Sequence, residues 1–562
     1  MPLSQLFADS NKPNILLLIT DQERSVAEWP ESYRATLAAK LPAMQRLMAS
    51  GLSFDHAYTA SCMCSPSRAT FLTSQYPIVT GCTSTGGSVL PKPARFPNIA
   101  SVLTAAGYGC YWMGKWHLLG GQEPGDKADE LVPWGFQTFT DPAGTKRAWD
   151  HPDAGTTLST NYLGGGTQGP TATNRNDQRY VADAQAFLAN PPASPWCLVV
   201  SLVNPHDIHL GWQAQDGNYY EQSLYQGFAV PLPKDRDESP SVMPRGQNYY
   251  TWANRAAALA SQQDFANFYV YLMQYVDGQI GTILSGMSES LTQETLIIRF
   301  ADHGEMGLAH GMIEKFVNAY GQCVHVPLVF SNPVAYPAAQ RTAALASTAD
   351  LAPTLAALLQ QGQFADSFAG TDLSPVLDDP ARSVQDYVHF TYDDQAGGSG
   401  PSVIRGVRSQ RWAYSVYLQS VTSSTAGFGD ADWEMYDLAA DPTETHNLAG
   451  TGLQEQETLD QALQAQMQAK RTAPAWYPAH WPPAKTSASR GGPPASEMAA
   501  SRPVATVPGI EAQQALDLTY VGVPDTAALL DRTATPAGRA ALASLVQVDP
   551  AVLESWIAAA RV

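Results

Sequence analysis

Asn14-Ile15-Leu16-Leu17-Leu18-Ile19-Thr20, followed at once by Asp21-Gln22-Glu23-Arg24, is the stretch from which the fold can be read. Five consecutive apolar residues without polar alternation predict a strand buried on both faces, and the run stops abruptly at ionisable residues. Two later stretches repeat the arrangement. Trp196-Cys197-Leu198-Val199-Val200-Ser201-Leu202-Val203 runs into Asn204-Pro205-His206-Asp207, and Thr295-Leu296-Ile297-Ile298-Arg299-Phe300 runs into Ala301-Asp302-His303-Gly304-Glu305. In an open α/β sheet the ligand crevice lies outside the carboxyl ends of the strands, so the three polar clusters are expected to meet there.

Helical patterns lie between the strands. Asn98 to Ala106 stops at Gly107, a C-cap, while Gln178 to Leu188 and Phe265 to Leu284 carry apolar residues at three- and four-residue spacing. The alternation predicts an α/β fold over residues 1–385, a large, mostly parallel mixed sheet flanked by helices. Past residue 385 the strands become shorter and alternating, as in Val403 to Tyr417 and Trp433 to Leu438, which predicts a smaller C-terminal α+β subdomain with an antiparallel sheet over 386–471. Residues 472–562 form a C-terminal extension. Its first part, Thr472 to Gly509, is rich in Pro, Ala and Ser and cannot build a core, so Trp476, Tyr477 and Trp481 are expected to wrap a surface. Helical patterning returns around Asp525 to Leu530 and Ala537 to Ala560, where an oligomer contact and intramolecular packing are equal expectations. The Gly-, Thr- and Asn-rich stretch 154–176 reads as a long surface loop, either a lid or specificity element or an insertion without a role.

A chain of 562 residues, 44% hydrophobic, can bury a large core in more than one domain. No run reaches the roughly 18–20 apolar residues of a membrane span. Met1-Pro2-Leu3-Ser4-Gln5 has no basic segment followed by an apolar one, so no signal peptide is expected and the cytoplasm is the expected location. The six cysteines, at 62, 64, 82, 110, 197 and 323, are too scattered for a disulfide framework, and reduced thiols are expected. A formal charge of −19 argues against nucleic acid or an acidic membrane as partner. A small anionic substrate still fits if cations are concentrated in one cleft.

The chemistry is concentrated in Cys62-Met63-Cys64-Ser65-Pro66-Ser67-Arg68-Ala69-Thr70-Phe71-Leu72-Thr73. Pro66 suits the first turn of a helix that Ser67 to Ser74 continues, which puts Cys64 at the helix mouth, where free amides and the macrodipole favour anions and a lowered thiol pKa. Arg68 adds a permanent cation one turn on. Asp21, Gln22, Asp302 and His303 offer mainly oxygen ligands for a hard divalent cation, with a histidine that also admits manganese. Lys115 and His117, in Tyr111-Trp112-Met113-Gly114-Lys115-Trp116-His117, alternate onto one face of an extended segment.

Cys64-x-Pro66-x-Arg68 followed by Ala-Thr-Phe-Leu-Thr resembles the signature of type I sulfatases of the alkaline phosphatase superfamily. Four further motifs resemble that family in its order. They are Asp21-Gln22, Gly114-Lys115-Trp116-His117, Asn204-Pro205-His206, and Asp302-His303-Gly304-Glu305 continuing through Gly307, His310-Gly311 and Lys315 to Val326-Pro327. Tyr436-Asp437-Leu438, Asp441-Pro442, Glu444 and Asn447-Leu448 look like its closing motif, with a plain strand-and-turn role.

The resemblance implies an arylsulfatase-type hydrolase of small-molecule sulfate monoesters. Cys64 is then oxidised to formylglycine by a formylglycine-generating enzyme, and its hydrated aldehyde is the nucleophile. One divalent metal, calcium with manganese as the alternative, would be held by Asp21, Gln22, Asp302, His303 and the residue at Cys64. Arg68 belongs to the same catalytic set. Lys115 and Lys315 would contact the sulfate, His117 would break down the sulfated intermediate and His206 would face the leaving-group oxygen. Separately from the resemblance, the C-terminal extension lies beyond the closing motif, and a homo-oligomer, dimer or tetramer, is expected to form through it.

Three departures from the family pattern stand out: Gln22 where many members carry a second aspartate, Tyr320 beside Gly321 and Gln322 where acids are common, and His325 where arginine is usual. His310 reads as a buried, hydrogen-bonded histidine. The rival readings are a phosphonate monoester or phosphodiester hydrolase with the same machinery, in which the Lys115-x-His117 pair is typically missing, and a non-catalytic binding protein on the same scaffold, whose mark would be a lost nucleophile, ligand or acid. The first also leads to an expectation of side activity on phosphorus esters.

Overall fold

The computed structural model describes residues 2–8, 12–85, 90–118, 131–147, 149–150, 164–165, 176–193, 195–210, 220–239, 242–250, 261–394, 401–419, 431–483, 485, 504–510 and scattered positions from there to 561. The 154–176 loop apart from 164–165 and 176, and much of the extension, lie outside the described residues.

The three apolar runs are adjacent strands. We number the long strands of the main sheet β1 (Asn14–Asp21), β2 (Gly51–Tyr58), β3 (Gly109–Lys115), β4 (Trp196–Pro205), β5 (Thr295–Ala301), β6 (Leu328–Ser331) and β7 (Gln340–Ser347). Their order is β7-β2-β6-β5-β1-β4-β3, with a two-residue strand, Trp149–Asp150, on the outer edge of β3. β1 runs parallel to β4 and to β5, and only β6 is antiparallel to its neighbours.

Every residue of β1 is buried, and its side chains divide between two cores. Ile15, Leu17 and Ile19 join Phe71, Leu72, Ile99 and Val102 on one face. Leu16 and Leu18 join Val181, Ala184, Val276 and Ile280 on the other. Helices cover both faces, which is why β1 shows no alternation. The covering helices are α1 (Cys64–Thr73), α2 (Ile99–Ala105), α3 (Asn176–Ala189) and α4 (Gln262–Ser285). Asn98 caps α2 through its side chain, and Gly107 beyond its end has φ +92, a conformation that favours glycine.

The second sheet comprises β8 (Val388–Tyr392), β9 (Val403–Arg408), β10 (Trp412–Leu418) and β11 (Asp432–Asp437), antiparallel and in sequence order. Leu459, Leu463 and Met467 of helix Gln454–Ala469 pack on Val403, Val407 and Val416, and Trp476, Tyr477 and Trp481 join the same cluster. The start of the extension therefore wraps this subdomain. Val504 and Val507, within the stretch expected to wrap a surface, instead belong to a separate cluster with Leu518, Leu529, Leu542, Leu553 and Trp556, so the described tail residues from 504 on pack on one another.

Candidate active site and metal centre

Helix α1 starts at Cys64, three residues before Ser67, with Met63 as its N-cap and Pro66 in its first turn. All ten of its residues are buried, so its unpaired first-turn amides face the protein interior. Two hydroxyls tie this mouth to neighbouring strand ends. Ser67 Oγ donates to the Asp302 carbonyl at 2.6 Å, and Ser65 Oγ to the His117 carbonyl at 2.7 Å.

Register does the rest. Thr20 pairs with Ala301 and Asp21 with Pro205, so Asp21, His206 and Asp302 emerge at one sheet edge. Cys64 Sγ lies 3.6 Å from Asp21 Oδ1 and 3.1 Å from His303 Nε2. His303 Nε2 is 3.6 Å from Asp21 Oδ1 and 3.7 Å from Asp302 Oδ1. One ligand atom from each of Asp21, Cys64, Asp302 and His303 falls within 4.8 Å of all the others, and all four residues are buried. His303 Nδ1 is 3.0 Å from the Gly304 carbonyl, so Nδ1 carries a proton and Nε2 is the nitrogen turned toward this cluster.

Arg68 is fully buried and bridges the two carboxylates, with Nη2 3.0 Å from Asp21 Oδ2 and 3.0 Å from Asp302 Oδ2. Its Nη1 donates to the Lys115 carbonyl at 2.8 Å and to Ser201 Oγ at 2.9 Å. Lys115 Nζ, at the end of β3, reaches Asp21 Oδ2 at 2.6 Å. Burial would push the Asp21 carboxyl up, but Lys115, His206, Arg68 and His303 outweigh it and hold it well below the usual range. Burial and the Asp21 charge raise Asp302. For His303, burial favours the neutral ring, yet Asp302 and the Cys64 sulfur push it up to about 9.

These donors fit a divalent cation. Two carboxylates, an imidazole nitrogen and the side chain at position 64 converge, and Asp302 Oδ2 has no hydrogen-bond donor among the described residues beyond its ion pair with Arg68.

Gln22 reaches the same edge through a backbone with φ +68 and donates its N–H to Asp302 Oδ1 at 3.1 Å. Its amide oxygen accepts from Lys315 Nζ at 2.6 Å, and its amide nitrogen donates to Glu305 and, at 3.3 Å, to Glu314. Gln22 thus links the Lys315 cation to two buried acids. The one signal for Glu314 in the sequence is its place beside Lys315. Burial disfavours the Lys315 charge, but Cys64, Glu314 and Asp21 raise its pKa overall.

His117 and His206 are both buried at this edge. β3 ends at Lys115 and His117 has φ +63, so the two do not alternate along one strand; the chain turns between them. His310 is buried as the sequence suggested, with Nδ1 2.6 Å from Glu238 Oε2 and its ring stacked 3.8 Å from Tyr320.

Comparison with known proteins gives this edge a family. The sulfatase family model matches residues 13–361, and a model for the C-terminal region of N-sulphoglucosamine sulphohydrolase matches 309–473. The Δ4,5-hexuronate-2-O-sulfatase of Bacteroides thetaiotaomicron is 26% identical over 454 residues, covering 78% of this chain and 85% of its own. A structure solved with its substrate, D-glucosamine-2-N,6-O-disulfate, superposes with TM-score 0.61 at 20% identity, covering 82% of this chain and 98% of that one. The phosphonate monoester hydrolase of Agrobacterium radiobacter superposes with TM-score 0.57 at 19% identity, covering 82% and 95%. The chain belongs to the sulfatase family of the alkaline phosphatase-like superfamily and is a sulfuric ester hydrolase.

Proposed function

We propose that this enzyme cleaves small-molecule sulfate monoesters of the arylsulfatase type with a nucleophile made from Cys64. The observation that carries the reading is the position of Cys64 Sγ at the mouth of a buried helix, 3.6 Å from Asp21 Oδ1 and 3.1 Å from His303 Nε2. Asp21, Gln22, Asp302, His303 and the side chain at 64 would hold one divalent ion, calcium first and manganese as the alternative. When bound, the ion supplies positive charge to a sulfate oxygen and favours ionisation of the attacking hydroxyl. Cys64, oxidised by a formylglycine-generating enzyme and hydrated, provides two hydroxyls on one carbon.

The chain's own side chains divide the remaining work. Lys115 and Lys315 bind the sulfate oxygens and stabilise the charge that develops on them. Arg68 bridges the Asp21 and Asp302 carboxylates, holds them in place and favours their charged forms. As the new oxygen–sulfur bond forms and the sulfur–oxygen bond to the alcohol breaks, His206 gives its proton to the departing oxygen. His117 then takes the proton of the second hydroxyl, which lets the carbon–oxygen bond to sulfate break.

A second reading, a phosphonate monoester or phosphodiester hydrolase with side activity shared between the classes, is favoured by the fold likeness to a phosphonate monoester hydrolase. The two separate on kcat/KM for an aryl sulfate, an aryl phosphonate and an aryl phosphate diester sharing one leaving group. Sulfate is expected to lead; a phosphonate or diester far ahead would reassign the enzyme. The six unpaired, buried thiols suit the reducing cytoplasm we propose for it. Self-association through the C-terminal extension belongs to the same proposal and is read by light scattering of the full chain and of a chain ending at 503.

A further inference from the structure

The strand that carries His206 does not run straight into it. In the pairing of β1 with β4, Ile19 faces Ser201 but Asp21 faces Pro205, so β4 takes four steps where β1 takes two. The surplus residues, just before His206, place the N–H groups of Val203 and Asn204 against a side chain instead. Asp177 accepts both, Oδ1 from Val203 N at 2.6 Å and Oδ2 from Asn204 N at 3.1 Å. Asp177 Oδ2 also takes the Asn204 amide at 2.9 Å.

Asp207, on the other side of His206, is equally committed. Its two oxygens accept the main-chain N–H groups of Gly164 and Gly165, each at 2.9 Å. Oδ2 also accepts from Asn204 Nδ2 at 3.1 Å and Tyr220 Oη at 2.5 Å. The circle closes where Asp177 N donates to the Gly164 carbonyl at 2.8 Å. Both carboxylates are fully buried, and no lysine or arginine pairs with either among the described residues. Burial and the neighbouring Asp207 push Asp177 up to about 7. Two buried acids without a cation are costly, and here six N–H or O–H donor groups offset that cost. Glycine is needed at both turn positions because of close approach. A Cβ on Gly164 would lie 2.6 Å from Asn204 Nδ2, and one on Gly165 would lie 2.7 Å from Tyr275 Cε1.

We propose that Asp207, together with Asp177, is a positioning residue for His206: it locks the bulged end of β4 to the Gly164-Gly165 main chain, so that the imidazole is held toward the leaving-group oxygen. The inference rests on the reading of His206 as the acid. Neither aspartate touches substrate; both act through the strand end.

The test measures kcat/KM for aryl sulfates spanning a wide range of leaving-group acidity. An enzyme that protonates the leaving oxygen depends weakly on that acidity. Asp207→Asn, which points an amide donor at main-chain donors, is expected to lose about 10-fold or more on the poorest leaving group and little on the best, steepening the dependence in the direction of His206→Ala. Gly164→Ala should show the same signature, and Tyr220→Phe a weaker one; these two decide if Asp207→Asn does not fold. A uniform loss across the series in folded Asp207→Asn and Gly164→Ala would overturn the positioning role while His206→Ala remained steep. If His206→Ala itself left the dependence shallow, the acid assignment and this inference would both fall.

Discussion

Lys115 Nζ lies 2.6 Å from Asp21 Oδ2, so the lysine expected to bind sulfate also neutralises a residue expected to bind metal. The contact makes the anion site and the metal site one electrostatic unit. A buried charge left without its partner costs a few kcal/mol, so losing either member is expected to disturb both functions.

Lys115→Ala should therefore lower kcat/KM for an aryl sulfate by about 100-fold or more. Three equivalent oxygens on sulfate gain more from the cation than two on a phosphonate, so the loss on an aryl phosphonate should be smaller. Equal losses on the two substrates would show that Lys115 acts only by holding Asp21.

Cys64→Ala should abolish turnover with the fold retained. The active enzyme, co-expressed with a maturation enzyme, should yield a Cys64 peptide whose mass reflects loss of the sulfur and two hydrogens and gain of one oxygen, as the aldehyde requires. Full activity from protein in which mass spectrometry finds only the thiol would refute the formylglycine route.

Much of this site is legible in sequence because each ligand-bearing strand is an apolar run that ends in its functional residues. Asp21, His206 and Asp302 need only the register of three parallel strands to meet. What the sequence hides depends on contacts between distant segments. Gln22 reads as a ligand, and its engagement with Lys315 and Glu305 becomes visible only when residues almost three hundred positions later fold against it. Asp177 reads as an ordinary acid in the first turn of a helix, since nothing local announces that β4 will bulge beside it. His117 reads as the next face residue of a strand that in fact ends at Lys115, where the chain turns.

Chelation should remove activity, and calcium or manganese added back should restore it. Asp302→Ala should not be restored by either ion. The chelated wild type should also melt at a lower temperature, because an ion bound only by the folded state stabilises it by mass action. Unchanged activity after complete metal removal would rule out the centre at Asp21, Asp302 and His303. Asp302→Ala also frees one side of the Arg68 bridge, so its fold is to be checked by circular dichroism before its activity is interpreted.

The contact between the two subdomains yields a pH prediction that needs no substrate. Glu434 of β11 is buried and accepts from Tyr320 at 2.6 Å, from Tyr436 at 3.0 Å and from Tyr417. Burial is the largest influence and, against the three phenols, pushes its carboxyl up to about 7 from an ordinary 4.5. Between these values the folded protein keeps a proton that the unfolded chain has released, so raising the pH from about 4.5 to about 7 favours unfolding. The contribution is on the order of 3 kcal/mol across the window and constant above it. Glu434→Gln carries no such proton. Urea denaturation of both proteins at pH 5, 6, 7 and 8 should show the variant gaining on the wild type as pH rises and the difference levelling off above 7. Parallel stability curves would mean that the tyrosine cage keeps Glu434 ionised throughout.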